Sequence, residues 1–453
     1  MQAHDCPAYQ DRRRAPLNRS DRSNVDTPES PAARRQRYFQ FLVIVLGGGA
    51  MYPIMYLRQN FEISILEACR IDASQLGELY SIMGVIVTLA YIPSGRIADR
   101  FAPRSLLSAA LAGTGLLGLW FATFPSFFQL KLIFIGWGIT GGLLFWASLI
   151  KAVKLLAKPS EQGRFFGILD GGRGLVEALL ASIAVGMFRF LSTPADGGGI
   201  RLQPVIHLYA FTCIALAVLL FFLLDKETRD TNAAAHADSA SALAVDGNIF
   251  RDLWTLLRIP QLWLLAGLIM CAHQLFWATY SFSAFLQVNT GMTALAAGSI
   301  TLTKLWMRPV GGLTVGFLGD ALGKERLLIV LFVLVSAAML VFAQVPLVGR
   351  TYVILVLVLV IGYLIYAIKG LYWALLDRCP VPPRLTGLAI GIVSFFGLLP
   401  DVTMPLLDGF LSRHFARPES LRIYFTLVGS CGFLGAVLCF WFQRMHAARV
   451  ERG

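Results

Sequence analysis

Charged residues are scarce in this sequence. Asp, Glu, Lys and Arg make up 15% of its 453 residues and 56% are hydrophobic, whereas soluble globular proteins average about 25% charged and about 45–50% apolar residues. The apolar residues lie in twelve blocks, each roughly the 20 residues that a helix needs to cross a bilayer. The shortage of charge therefore excludes a soluble enzyme, a nucleic-acid-binding protein and a secreted disulfide scaffold, and it predicts a polytopic membrane protein.

Cysteine motifs and nucleotide-binding motifs are also missing. The seven cysteines form no CxxC pair and no Cys/His cluster with metal-ligand spacing, so we expect no metal site. No Gly-x-x-x-x-Gly-Lys-Ser/Thr loop is present, which excludes ATP as the energy source. No nucleophile and base lie together in the chain, and we expect neither a cofactor nor enzymatic activity.

The apolar blocks predict an all-α membrane protein of twelve transmembrane helices in two six-helix halves. The polar, basic residues 1–38 lack a cleavable signal peptide, and we expect them to form a disordered cytoplasmic arm. The Ala/Asp/Ser-rich linker ends in the amphipathic stretch 249–257, which predicts an interfacial helix, although a plain connector is also possible. The remaining segments are the first half 39–224, the cytoplasmic linker 225–260, the second half 261–442 and the cytoplasmic tail 443–453. The predicted spans are 39–59, 74–94, 105–124, 130–156, 163–191, 205–224, 261–288, 294–318, 327–345, 351–376, 385–411 and 421–442.

Basic residues are distributed unevenly between the two sides of these spans. With the N-terminus in the cytoplasm, and with residues near a span end counted in the adjoining segment, the cytoplasmic segments hold 26 Lys and Arg, the outer segments hold eight, and five lie deeper within spans. This asymmetry follows the positive-inside rule. It predicts an inner or plasma membrane protein with both termini in the cytoplasm, so the net charge of +12 orients the chain and does not indicate a nucleic-acid partner.

A short motif recurs at the end of the second span of each half. Gly95 and Asp99 occupy the gap after span two, and Gly316 and Asp320 occupy the gap after span eight, at a constant offset of 221 residues. A repeat at equivalent positions indicates two related halves. Gly permits close helix approach, and the Asp can meet a helix N-terminus or an Arg across the interface between the halves. We interpret these residues as a conformational loop motif.

Twelve spans in two halves with this motif resemble the major facilitator superfamily of secondary transporters. The first copy resembles the superfamily signature through Gly95, Asp99, Arg100 and Arg104, while Ala321 follows the Asp in the second copy. The resemblance covers residues 35–445. It implies alternating access to a site at the membrane midplane between the halves, and it does not name a substrate.

The end of span one carries a second resemblance. Residues 56–61, Tyr-Leu-Arg-Gln-Asn-Phe, are similar to the organophosphate:phosphate antiporter branch, which implies that Arg58 binds an anionic group of the substrate. That branch also has a partner Arg in the second half and a His in span five. Here Thr279 stands at the partner position and Arg173 at the His position. Its place near the helix end also allows Arg58 to extend towards the outer headgroups.

Span five combines two acids and one base. Asp170, Arg173 and Glu177 are spaced i+3 and i+4 and so share one helix face. An ionisable residue inside a membrane is a functional candidate because its insertion costs about 2.5–3.5 kcal/mol. We expect Arg173 to hold an anionic substrate and one acid to exchange a proton, namely the acid that does not have Arg173 as its main partner. The alternative is a salt-bridge stripe that only packs helices.

The second half contributes three cations and an acid. Lys304 and Arg308 lie four residues apart on span eight and need an acidic partner or an anion. Lys369 in span ten binds substrate or extends towards the cytoplasmic surface. Asp401 lies between two prolines in span eleven, where it relays protons or caps freed backbone groups. His273 in span seven is polar lining or a structural residue.

The five cations within spans outnumber the acids, and this predicts an anionic substrate. We expect a monomeric secondary transporter that moves a small organic anion, such as a sugar acid, a sugar phosphate or another carboxylate, by proton symport or anion exchange. One alternative is a proton-coupled drug exporter, which would need the opposite charge balance, and another is a nitrate carrier. A transporter-like membrane sensor of an anionic metabolite would instead use the N-terminal arm or the linker to reach a partner.

Overall fold

The computed structural model describes residues 30–158, 161–190, 198–224, 249–344, 349–382 and 385–450. These residues form helices and short connections without strands. All twelve predicted spans are helical, which confirms the all-α fold. The spans, numbered as in the sequence, are Pro31–Cys69, Ala73–Arg100, Pro103–Phe121, Phe127–Leu156, Gln162–Phe190, Gly198–Leu223, Pro260–Thr290, Ala294–Leu322, Lys324–Gln344, Thr351–Arg378, Thr386–His414 and Arg417–Val450.

Five spans are interrupted. A proline lies beside two of the breaks, Pro53 in span one and Pro400 in span eleven, where it removes a backbone hydrogen bond. A break inside a membrane persists only where neighbouring protein or a cavity satisfies the freed groups. Span one divides into Pro31–Met55 and Arg58–Cys69, span seven has a 3₁₀ turn at Thr279–Ser281, and span eleven divides into Thr386–Gly397 and Pro400–His414. Span four has a π-helical stretch at Ile139–Phe145, and span ten ends in a 3₁₀ turn at Tyr372–Arg378.

Hydropathy predicts the existence of the spans better than their ends. Ten helices among the described residues are long and apolar enough to cross a membrane, and the two other long helices, spans five and eight, carry several of the interior charges. The first helix begins at Pro31, where the Ser30 hydroxyl accepts a hydrogen bond from the Ala33 amide at 3.2 Å. Residues 31–38 are therefore helical, whereas residues 1–29 of the predicted arm lie outside the described residues. Likewise, the last helix continues through the predicted tail to Val450.

The repeat extends beyond the motif that revealed it. Span two begins at Ala73 and span eight at Ala294, which are separated by the same 221 residues. The prediction that the motif lies in loops is wrong, because span two continues to Arg100 and span eight to Leu322. The side chains of Asp99 and Asp320 lie outside the part of the chain that the structure describes.

The linker contains the predicted amphipathic helix. Ile249–Leu257 is helical, with Leu256 buried and Trp254 exposed, as expected for a helix at a membrane interface. The Trp263 indole donates to the Leu257 carbonyl at 2.8 Å and so connects this helix to span seven. Residues 225–248 lie outside the described ranges.

The two halves pack closely at the end of the bundle opposite the chain termini, which we call the far face; the other end is the terminal face. Gly77 and Gly84 of span two lie so close to span eleven that an added Cβ would overlap the carbonyl oxygens of Pro405 and Asp401. The Ser81 hydroxyl donates to the Val402 carbonyl at 3.1 Å. Spans two and eleven therefore close the far face together.

Candidate functional site

Arg58 lies in a buried ion-pair network, which we call the far-face cluster. Its guanidinium contacts Glu62 and Asp408, each at 2.9 Å, and the Ser281 hydroxyl at 3.0 Å. Arg417 completes the cluster with contacts of 2.6 Å to Glu62 and 2.7 Å to Asp408. Arg58 is only 2% exposed, so it does not extend to the headgroups. Two guanidiniums and two carboxylates leave the cluster neutral.

The sequence did not predict three members of the far-face cluster, namely Glu62, Asp408 and Arg417. Glu62 follows the predicted end of span one, and Arg417 precedes the predicted start of span twelve. Asp408 lies within predicted span eleven, seven residues after Asp401. The i+4 spacing of Arg58 and Glu62 was the sequence feature that could have predicted their ion pair. A role for Arg58 in substrate binding stays a prediction, and it requires this network to open.

Arg308 of span eight joins the halves at the acids of span five. Its guanidinium contacts Asp170 at 2.8 Å and Glu177 at 3.0 Å. A Cβ at Gly174 would stand 2.7 Å from Cδ of Arg308, so this glycine gives the arginine stem room to cross span five. The acidic partner required by the second-half cations is therefore supplied by the other half.

Arg173 is the main ion-pair partner of neither acid, so that part of the prediction is wrong. Its Nε donates to the Gly48 carbonyl at 3.2 Å, and its guanidinium lies 5.3 Å from the Tyr52 ring centre and 5.1 Å from that of Trp146. Span one approaches at Gly48, where a Cβ would stand 2.9 Å from Cγ of Arg173. This approach directs the guanidinium towards the rings while Arg308 takes both carboxylates.

Lys304 is the most deeply buried cation of the central region, at 1% exposure. Its ammonium donates to the Thr279 hydroxyl at 2.9 Å and to the Thr279 carbonyl at 3.1 Å, and it lies 5.4 Å from the Tyr280 ring centre. Within the described ranges, no carboxylate lies within ion-pair distance of it. Removing an ammonium from water is costly unless a counter-ion or a ligand compensates.

Lys369 and Asp401 each contact span seven. The Lys369 ammonium lies 3.5 Å from the Phe276 ring centre, a cation–π contact. Asp401 accepts hydrogen bonds from His273 at 2.7 Å and from the Trp277 indole at 2.6 Å. Asp401 therefore connects spans seven and eleven, and its side chain does not cap the break in its own helix.

Aromatic rings lie between the far-face cluster and the central cations. Tyr56 of span one stacks on Tyr280 of span seven at 5.2 Å and on Tyr80 of span two at 6.0 Å. Tyr80 also lies 5.2 Å from the Arg58 guanidinium, and Tyr280 faces Lys304. A small cavity beside this layer is lined from both halves by Pro53, Asn60, Glu177, Tyr209 and Leu305.

A family profile covers most of the bundle. The profile of the Major Facilitator Superfamily matches residues 38–405. The chain belongs to the Major Facilitator Superfamily. This membership makes it a secondary transporter, and the relatives and neighbours described next are consistent with that assignment.

Two curated relatives of this superfamily member align with nearly its whole length. The inner membrane protein YqcE of Escherichia coli K12 is 30% identical over 422 residues, which cover 91% of this chain and 96% of YqcE. The inner membrane protein YihN of the same organism is 24% identical and covers 89% of this chain and 94% of its own. The chain is accordingly a multi-pass inner membrane protein.

Solved Major Facilitator Superfamily transporters share the fold. A bacterial homologue of the human lysosomal transporter Spinster, in an inward-facing and unoccupied conformation, aligns with a TM-score of 0.73 at 16% identity. That alignment covers 93% of this chain and 98% of the homologue. A D-xylose–proton symporter aligns with a TM-score of 0.68 at 18% identity, over 89% of this chain and 98% of the symporter. At these identities the likeness establishes the twelve-helix fold alone, and the antiporter-like motif of span one stays a prediction.

Proposed function

We propose that the chain transports a small organic anion, such as a sugar acid, a sugar phosphate or another carboxylate, by proton symport or anion exchange. One observation carries the proposal. Lys304 is buried at the centre of the bundle, and the described residues supply hydroxyl, carbonyl and aromatic groups around it without a carboxylate. An anionic substrate is the missing counter-ion.

Two further cations support an anion in the same region. Arg173 is held by a carbonyl and two rings, and Lys369 lies over a ring. Cation–π contacts contribute about 0.5–2 kcal/mol, less than a desolvated ion pair, so a carboxylate or phosphate can displace them. We propose that Lys304, Arg173 and Lys369 hold the anion, while Arg308 stays with the acids of span five.

The acids make a lipophilic-cation exporter the weaker alternative. Such an exporter needs a carboxylate that is free for the substrate. Asp170 and Glu177 both contact Arg308, and Asp401 is engaged by His273 and Trp277. We propose that these three acids couple protons or reset the carrier, since they can exchange partners as the halves move.

The distribution of basic residues supports an orientation with the terminal face in the cytoplasm. In that orientation the far-face cluster and the glycines of span two close the outer side. We propose that the motif residues Gly95, Asp99, Arg100, Arg104, Gly316 and Asp320 act on the cytoplasmic side during alternating access.

The substrate class is tested by thermal unfolding of the purified full chain in detergent. Hexuronates, hexonates, sugar phosphates, inorganic phosphate, nitrate, neutral sugars and lipophilic cations are added separately. A ligand at about 100 times its Kd stabilises the folded state by about 2.7 kcal/mol. We expect an anion to raise the melting temperature of the parent protein and of Lys154→Gln, which alters an exposed lysine in span four. In Lys304→Gln, the affinity should fall by at least about tenfold, because a hydrogen bond to a charged group contributes about 1.5–3 kcal/mol.

Two results would contradict the proposal. A shift with lipophilic cations or neutral sugars alone would exclude an anionic substrate. An anion-induced shift of the same size in Lys304→Gln would show that the anion binds away from the central cations.

A further inference from the structure

We propose that the pair formed by His273 and Asp401 binds the proton that is coupled to transport, and that its protonation holds the far face closed. The proposal rests on the transport function proposed above. It assigns coupling to one buried pair and gives His273 a role beyond that of polar lining.

The pair has one free site for a proton. The Nε2 of His273 lies 2.7 Å from Oδ1 of Asp401, so the neutral ring donates its Nε2 proton to the carboxylate. The other ring nitrogen, Nδ1, is buried and has no hydrogen-bond partner among the described residues. A proton that binds to Nδ1 converts the ring to an imidazolium and breaks no bond. The charge of the pair then changes from minus one to zero.

Asp401 contacts span two of the first half, so a change in the charge of the pair can affect the packing between the halves. It is in the first turn of Pro400–His414, directly after the break in span eleven. Its backbone carbonyl is packed against Gly84 of span two, and the next carbonyl, of Val402, accepts from Ser81. An imidazolium holds the Asp401 carboxylate more firmly than a neutral ring does. Protonation therefore fixes the backbone that closes spans two and eleven.

The surrounding charges connect the pair to the substrate. Among the described residues, the titratable and charged groups close enough to act electrostatically on Asp401 are His273 and Tyr280 from span seven, Lys369 and Tyr372 from span ten, and Tyr52 from span one. Lys369 is the lysine of that set. An anion bound at Lys369 brings a negative charge near the imidazolium of His273, and opposite charges stabilise each other. Substrate and proton then favour each other, which is a reciprocal coupling between two sites.

The experiment is hydrogen–deuterium exchange on the full chain in detergent without substrate, at about pH 5.5 and about pH 8, values that bracket the usual titration of histidine. The peptides followed cover residues 73–84 and 400–414. We expect both to exchange about tenfold more slowly at the lower pH, after correction for the intrinsic effect of pH. His273→Gln should lose this pH dependence. His207→Gln, which alters a partly buried histidine of span six, should retain it.

A second variant tests whether a folding defect in His273→Gln, and not the loss of the proton site, removes the pH response. Asp401→Asn keeps the shape of the side chain and removes its charge, and it should also lose the pH dependence while keeping a cooperative melting transition. An unchanged pH response in either variant would overturn the proposal. Lys304→Gln distinguishes it from the anion hypothesis: we expect the pH response to persist there while the affinity for the anion falls. If no anion binds to the parent protein but the pH response depends on His273, the substrate assignment fails and the proton site stands.

Discussion

At the residue scale, two groups of buried charges among the described residues differ in their chemistry. The far-face cluster pairs every charge, so it has no capacity for a ligand while it remains closed. The central cations differ, because Lys304, Arg173 and Lys369 rest on carbonyl, hydroxyl or aromatic groups. Gly362 of span ten leaves room for the Lys304 side chain, because a Cβ there would stand 3.0 Å from Cγ of Lys304. The difference between paired and unpaired charge distinguishes the far-face cluster from the binding site that we propose.

Replacing Arg58 alone with Gln should destabilise the protein more than replacing Arg58 and Glu62 together. The single variant leaves Glu62 and Asp408 with only Arg417, and loss of one partner from a buried ion pair costs about 3–5 kcal/mol. We expect a clear fall in the melting temperature of purified Arg58→Gln. The double variant Arg58→Gln with Glu62→Gln restores neutrality and should recover part of the loss. Equal melting temperatures for the parent and the single variant would show that the cluster contributes little to stability.

At the scale of elements, closure of the far face depends on two glycines spaced along span two. Gly77 and Gly84 lie seven residues apart, about two helical turns, so they share a face. That face touches Pro400–His414, the second segment of span eleven. The break before this segment lets it turn against span two independently of Thr386–Gly397.

Adding one methyl group at Gly84 should separate the halves at the far face. In Gly84→Ala the new Cβ would overlap the Asp401 carbonyl oxygen, so spans two and eleven must move apart. The measurement is oxidative cross-linking of Ser81→Cys with Val402→Cys in a background without other cysteines. We expect a lower yield with Gly84→Ala. The matched control is Gly186→Ala, whose Cβ would have no heavy atom within 4 Å and should leave the yield unchanged; an equal yield in both variants would contradict the packing argument.

At the scale of the whole molecule, each half is also fastened at the terminal face. Arg37 of span one contacts Glu161 at 2.7 Å and the Leu156 carbonyl at 3.2 Å, within the first half. This hydrogen bond lowers the pKa of the Glu161 carboxyl below its usual value. Arg378 and Glu325 form a 2.9 Å contact within the second half. Such contacts let each half move as a unit, as alternating access requires.

Removing residues 1–29 should leave transport intact, because the bundle begins with the cap at Ser30. Uptake of the anion identified by thermal shift, measured in proteoliposomes, should stay within about twofold of the parent rate, a change below 0.5 kcal/mol. A deletion to residue 38 removes Arg37 and should lower the melting temperature. Loss of uptake in the shorter deletion, with an unchanged melting temperature, would instead favour a sensor that signals through its arm.

The sequence by itself determined the class of this protein and much of its architecture. Runs of apolar residues predicted twelve spans, the 221-residue offset predicted two related halves, and both are confirmed by the structure and the superfamily match. Helical spacing also predicted that Lys304 and Arg308 share a face of span eight. These features are local, because hydropathy and the 3.6-residue period depend only on neighbours along the chain.

Only the tertiary structure decided which partner each charge has. Arg308 contacts acids 131 and 138 residues away, and Arg58 contacts Asp408 at a separation of 350 residues. Spacing along one helix shows which residues share a face, but not which other helix meets that face. That choice depends on close approach at positions such as Gly48, Gly174 and Gly84, where a missing side chain lets two helices touch. The division into a neutral far-face cluster and a cationic centre therefore emerged only when the helices were packed.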